Sequence, residues 1–258
     1  MSTVQYLSGA INPGDCISGA WNLVSRQFWI YIGIGLVTIV LIGCIPFIGT
    51  LLFGPVLGGF YYFVLRDMRN EPVDFGMMFK GFEKFLPLML VGLIQAAPSL
   101  IATILQYTVD VARLFGGAAG RDANLYQSSS DAVFAGLSMG ILIVVVVLSL
   151  LGAVWSVILT FAIPLVMEHD LSVMDALLTS VKASFSNPGG LIVLIILEAL
   201  VGLLGFIALC VGIFVAIPVV YAANVFAYRM VFPYSDGPNI NTAPPPPTEY
   251  GGTYGTNY

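Results

Sequence analysis

Glu198 is the residue of this sequence best placed to do chemistry, because it stands alone among apolar neighbours. No other charge falls between residues 191 and 209. An ionised acid at the centre of a bilayer costs about 2.5–3.5 kcal/mol on insertion scales. A carboxylate kept at that depth faces a bundle interior or a watery cavity, or takes up a proton. Gln95 lies near the middle of a second apolar run, residues 86–105, and is the expected hydrogen-bond partner of Glu198. Two roles stay open for the pair: a proton or cation site, or an interhelical hydrogen bond that holds the bundle together.

The remaining reactive side chains form no catalytic pattern. Glu168, His169 and Asp170 are consecutive, so on a helix they point in different directions and make a poor metal site. Ser99, Ser138, Ser149, Ser156 and Thr160 have no base beside them in sequence, and a hydroxyl nucleophile needs one. No glycine-rich stretch has phosphate-loop spacing with its lysine. Cys16, Cys44 and Cys210 are an odd number without metal-ligand spacing. Cys44 and Cys210 fall at expected hairpin tips on one side, so a disulfide there and free thiols are both open. The sequence therefore predicts no enzyme, no cofactor and no catalytic or metal residues.

Composition says what solvent these residues sit in. Of 258 residues, 58% are hydrophobic and 9% charged, with a mean hydropathy of +0.95. A soluble domain is about 45–50% apolar and about 25% charged. So little charge requires lipid as the main solvent. The net charge of −5 offers nothing to nucleic acid. Residues 1–27 lack the apolar core of a cleavable signal peptide, and the run from Phe28 is too long for one.

The elements follow from uncharged runs of about 20 residues, the length that crosses a hydrocarbon core of about 30 Å. Residues 1–13 read as a loose polar segment, residues 14–233 as a membrane domain and residues 234–258 as a disordered Pro/Tyr/Gly-rich tail. Asp15 is the expected N-cap of a short interfacial helix carrying Ile17, Trp21, Val24 and Phe28 at helical spacing. Residues 28–44 and 48–65 are two spans, separated by a Pro46–Gly49 turn. Gly54 and Gly58 would admit a close neighbour. Phe75, Met78, Phe79, Phe82 and Phe85 form one face of a second amphipathic helix. Residues 86–105 are the third span, 106–131 a polar loop, and 133–167 one long or tilted helix. Met174, Leu177, Leu178, Val181 and Phe185 mark a third amphipathic helix. Residues 191–209 and 211–228 are the last two spans. The architecture is an all-α integral membrane protein with six transmembrane helices.

Basic residues set the orientation. With the N-terminus inside, Arg26, Arg66, Arg69, Lys80, Lys84, Lys182 and Arg229 lie on the inner side. Only Arg113 and Arg121 lie outside, as the positive-inside rule requires. Both termini and the tail are then cytoplasmic, and the tail offers a docking segment to a protein partner.

The elements also suggest three pseudo-repeats, each an amphipathic helix plus a hairpin. Pro55, Phe63 and Arg66 have counterparts at one common offset in Pro218, Phe226 and Arg229. Another offset relates Gln95 to Glu198 and Phe82 to Phe185. A competing register matches Asp74 to Asp175 and Pro87 to Pro188.

Two stretches carry a family resemblance. The run from Leu209 through Cys210, Val211, Gly212, Pro218 and Val219 to Tyr228 and Arg229 resembles the last hairpin of uncharacterised multi-pass bacterial membrane proteins. The segment with Asp175, Ala176, Leu177 and Ser180 resembles theirs too. Similar regions accompany some glycerophosphodiester phosphodiesterase domains. The resemblance covers about residues 14–233, includes no phosphodiesterase domain and implies a bacterial plasma-membrane protein with no catalytic residues. The expected role is a non-enzymatic structural or interaction protein in contact with membrane lipid. A small proton- or cation-coupled transporter using Glu198 is the alternative.

Overall fold

A computed structural model describes residues 4–43, 48–119, 127–208 and 211–233. Cys44, Cys210, the tail and the centre of the expected 106–131 loop lie outside them. Every element among the described residues is helical. Helices α1 (Pro13–Arg26), α2 (Phe28–Gly43) and α3 (Ile48–Met68) come first, followed by a 3-10 helix, Phe75–Lys84. Then come α4 (Phe85–Ala119), α5 (Gln127–Ile158), α6 (Ala162–His169), α7 (Val173–Phe185), α8 (Pro188–Ile207) and α9 (Val211–Val231). Five stretches are long and apolar enough to cross a membrane, or six if α1 and α2, bent by 105°, count as one.

The three short elements all pack on a hairpin that is not their own. Helix α1 lies chiefly on α9 and α8, the 3-10 helix on α3, and α7 on α6, α4 and α5. Each thus closes onto the hairpin preceding it, with the first closing onto the last. Their buried stripes are made mostly of small residues: Cys16 and Ala20 in α1, Gly81 in the 3-10 helix, and Ala176, Ser180, Ala183 and Ser184 in α7. The large apolar residues Trp21, Phe75, Phe79, Met174, Leu178 and Phe185 stay exposed. The face expected from Met174 to Phe185 is therefore only partly the packed one. Small side chains let two backbones approach, whereas the large ones are left to contact the surroundings.

Close approach also explains the 3-10 helix, which replaces the expected α-helix. A Cβ on Gly59 would stand 1.6 Å from the Met78 carbonyl oxygen, and one on Gly81 would stand 1.9 Å from that of Pro55. The 3-10 coil eclipses side chains three apart. It thereby puts Met78 and Gly81 on the ridge against α3. It also lines up Phe79, Phe82 and Phe85, whose neighbouring ring centroids are 6.1 and 6.2 Å apart. Gly54 and Gly58 both meet α4 at Leu88, the close crossing their spacing suggests.

Other expectations need correction. The stretch expected as a loop from residue 106 is helical to Ala119, and helix resumes at Gln127. Residues 106–115 contain neither Gly nor Pro, so an established helix propagates through them despite their polarity. The expected continuous helix 133–167 is interrupted at residues 159–161, although Met139–His169 still qualifies as one candidate span. Pro164 contributes to that break, since it has no N–H for the Thr160 carbonyl. Helix α1 starts at Pro13 behind Asn12, with Asp15 in its first turn rather than at the cap; proline suits a first helical position. The N-terminal segment is docked rather than loose over residues 7–10. Asn187 Nδ2 donates to the Leu7 carbonyl (3.0 Å), and Ala10 N–H donates to Asn187 Oδ1 (2.9 Å).

Candidate functional site

Helices α8 and α9 position Glu198. Its Oε1 accepts a hydrogen bond from Asn224 Nδ2 on α9 at 2.8 Å. Asn224 Oδ1 accepts in turn from Thr160 Oγ1 at 3.2 Å. The carboxylate is thereby tied, through one amide, to the interruption between α5 and α6. That interruption is held open by α7. Ser180 and Ser184, four apart and so on one helix face, both donate to the Ile158 carbonyl at 2.9 Å. Ser180 Oγ also accepts from Phe161 N–H at 3.2 Å. Hydroxyls from a neighbouring helix thus replace backbone bonds that a continuous α5–α6 helix would have made itself.

Gln95 is not at this place. Its Nε2 donates to the Ser156 carbonyl at 3.3 Å, and its Oε1 is buried without a partner among the described residues. The reason is helix pairing. Helix α4 packs along α5, while α8 packs along α9, so each mid-helix polar residue meets its own hairpin partner. The expected Gln95–Glu198 bond is replaced by two separate ones.

A second polar cluster gathers where α3, α6 and α9 end. Glu168 Oε1 accepts from Arg69 Nη2 at 2.8 Å and from Arg229 Nη2. Its Oε2 accepts from Tyr228 OH at 2.8 Å. Lys84 Nζ reaches across to the Val166 and Met167 carbonyls, at 3.0 and 2.8 Å, and to Asp170. Glu168 and His169 close α6 with their side chains 3.9 Å apart, while Asp170 caps the helix in the left-handed conformation and pairs with Lys84. Asp67, 1% exposed, accepts from Tyr31 OH (2.8 Å), Gln27 Nε2 (2.9 Å) and Arg26. In the sequence Asp67 belongs to the charged stretch that ends the second span. Its position between Arg66 and Arg69 gave no sign that it points inward.

What this arrangement can do chemically is limited. Asn224 is an amide, and an amide donates a hydrogen bond without passing its proton on. The Thr160–Asn224–Glu198 chain therefore fixes geometry rather than relaying charge. Among the described residues, no group of three or more His, Cys, Asp and Glu side chains is placed to hold a metal ion. Cys16 is buried against Met230, its Sγ 3.7 Å from the Met230 sulfur, and burial pushes its thiol pKa up to about 12, away from nucleophilic use. Comparison of the chain with protein-family models, curated proteins and solved structures finds no match.

Proposed function

We propose that this chain is a six-span protein of a bacterial plasma membrane, with a non-catalytic structural or interaction role. The observation that carries the reading is the use of its interior polar groups. Glu168, Asp67, Glu198 and Asn224 each join separate helices. Side chains so committed are unavailable to bind and release a substrate without breaking the bundle's own contacts.

The same reading takes the architecture as three pseudo-repeats. Helices α3 and α9 have equal length, 21 residues. Each has an internal proline, Pro55 or Pro218, and a last-turn arginine, Arg66 or Arg229. The cyclic packing of the short elements supports it further. The end bearing Arg26, Arg66, Arg69, Lys84 and Arg229 is taken as cytoplasmic by the positive-inside rule. The exposed Trp21 and the exposed phenylalanines of the short elements suit the headgroup layer on that side. The likeness of residues 14–233 to multi-pass bacterial membrane proteins points the same way.

A proton- or cation-coupled transporter is the second reading, favoured by a half-buried Glu198 at the middle of α8. Proton flux into proteoliposomes under an imposed potential separates the two. Wild type and Glu198→Gln are compared at equal incorporation. The structural reading expects no flux from either and a folded variant, because glutamine still offers Asn224 an acceptor. Flux that disappears in the variant selects the transporter.

A further inference from the structure

Taking the chain as membrane-spanning, we infer that a hollow between α8 and α9 seats an acyl chain of a glycerolipid. The hollow measures about 440 Å³ and lies on the face of the hairpin where α1 packs. That volume is within the usual range of about 300–1,000 Å³ for ligand sites.

Small residues create the hollow. A Cβ on Gly205 of α8 would stand 2.8 Å from Ala216 Cβ and 3.0 Å from the Gly212 carbonyl oxygen of α9. Where two backbones meet this closely, neither supplies a side chain to fill the notch beside the crossing. Val201 and Leu204 line it from α8, Val215 and Val219 from α9, and Ile17 and Trp21 from α1. Helix α1 covers the continuation of the same face: Gly19 meets Phe226, and Cys16 meets Met230. Phe226 lies seven residues beyond Val219, two turns along one helix stripe. The open stretch, residues 201–208 of α8 against 212–219 of α9, is thus only about 10 Å long.

The lining decides the occupant. A buried water needs about 2–4 polar partners, whereas the Trp21 indole N–H is the one polar side-chain group in the wall. A spanning helix from a second copy is about 30 Å long and, laid along the hollow, would run into α1. A hydrocarbon chain needs neither polar partners nor that length. Leu204 of the wall is exposed, as are Phe206 and Ile207 beside it, so the hollow is continuous with the apolar outer surface of α8. Within hydrocarbon the holding force is dispersion, and a chain in a notch has wall atoms on several sides. Trp21 sets the lipid class. Its indole N–H, on an interfacial helix where tryptophan concentrates, suits the ester carbonyl of a glycerolipid. A free fatty acid would bring a carboxylate, and no cation lines the hollow.

Trp21 also supplies the readout. The full chain with Trp29→Phe and Trp155→Phe is held in dodecyl maltoside micelles, and phosphatidylcholine brominated on its acyl chains is titrated in. A second protein keeps only Trp29, which is 81% exposed and lines no part of the hollow. The expected result is half-quenching of Trp21 at a lipid fraction about tenfold lower than for Trp29, from the hydrogen bond and the added chain contacts together. Val201→Phe and, separately, Val215→Phe fill the hollow from opposite helices and should bring Trp21 to the Trp29 profile. Equal profiles for the two tryptophans in the unfilled protein, or a Trp21 preference unchanged in a folded filled variant, overturn the inference. Quenching reversed by unbrominated stearate gives the hollow to a free fatty acid, and a Trp21 shielded from bromine in a chain that sediments as a dimer gives it to a second copy; either also overturns it. A Trp29 that no lipid fraction quenches removes the membrane-spanning reading itself.

Discussion

The Glu168 carboxylate receives Arg229 from α9 on the same oxygen that receives Arg69 from the end of α3, so one acid from α6 holds two other helices. The pair is well buried, with Arg229 at 7% and Glu168 at 14% exposure, whereas Arg69 is 37% exposed. Removing the acid takes the carboxylate away from a buried guanidinium, and breaking such a pair costs about 3–5 kcal/mol. Glu168→Ala should destabilise by that order. Arg229→Ala should cost less, because Arg69 and Tyr228 still serve the carboxylate. Arg69→Ala should cost about 1 kcal/mol or less, as exposed ion pairs do. Reversible unfolding in mixed micelles checks the ranking, which fails if Arg69→Ala proves the most damaging.

The glycines make a sharper contrast. At Gly59 and Gly81 a methyl group meets carbonyl oxygen of a neighbouring backbone, while at Gly140 and Gly202 nothing lies within 4 Å. Backbone cannot rotate out of the way as a side chain can. Gly59→Ala and Gly81→Ala should each lose about 1–3 kcal/mol or more, the usual cost of overpacking. Gly140→Ala and Gly202→Ala should gain up to about 1 kcal/mol, since alanine favours helix over glycine. The same unfolding assay reads all four. Equal behaviour at the packed and open positions would remove the close α3 crossing from the account.

Much of this bundle is legible where the signal is local. The Pro46–Gly49 turn places the end of α2 to within a residue and the start of α3 at Ile48, while α3 runs past the uncharged stretch, through Arg66, to Met68. Glu198 stands out because one acid among leucines is visible by composition alone. Its partner is not visible, because Asn224 becomes that partner only once α8 and α9 pack together. The break at residues 159–161 is hidden for a related reason. Pro164 lies beyond it, and the hydroxyls that hold it belong to α7, about 20 residues further along. Asp67 reads as an ordinary helix-end charge until Tyr31 and Gln27 are seen to fold over it.

Cys16 gives a pH-dependent prediction. Its thiol ordinarily ionises near 9.0 and is pushed by burial to about 12. Between those values the unfolded chain loses a proton that the folded chain keeps, so unfolding is favoured as pH rises. The stabilising contribution is complete below pH 9.0 and declines toward pH 12. In a Cys44→Ser, Cys210→Ser background, iodoacetamide should modify folded protein at pH 9 on the order of a thousandfold more slowly than unfolded protein. Replacing Cys16 by alanine should flatten the alkaline fall in stability by one titrating group. Rapid labelling of the folded chain would contradict the buried placement against Met230.

Ser180 and Ser184 make the last prediction, because they decide whether the interruption after Ile158 is tolerated. One serine suffices for the Ile158 carbonyl, so either single alanine variant should be mild; Ser180→Ala is the costlier because Phe161 N–H also uses that oxygen. The double variant leaves a carbonyl and an N–H unsatisfied in an apolar layer, at about 1–3 kcal/mol for each group. Adding Pro164→Ala restores an N–H for the Thr160 carbonyl and lets the segment close into one helix. The triple variant should therefore recover part of the loss and gain helical circular dichroism. It should also pull Thr160 away from Asn224, loosening the far end of the Glu198 contact. A double variant as stable as wild type would mean that Pro164 alone shapes the break. A triple variant no better than the double would mean that packing of α6 against α7, rather than these hydrogen bonds, holds it open.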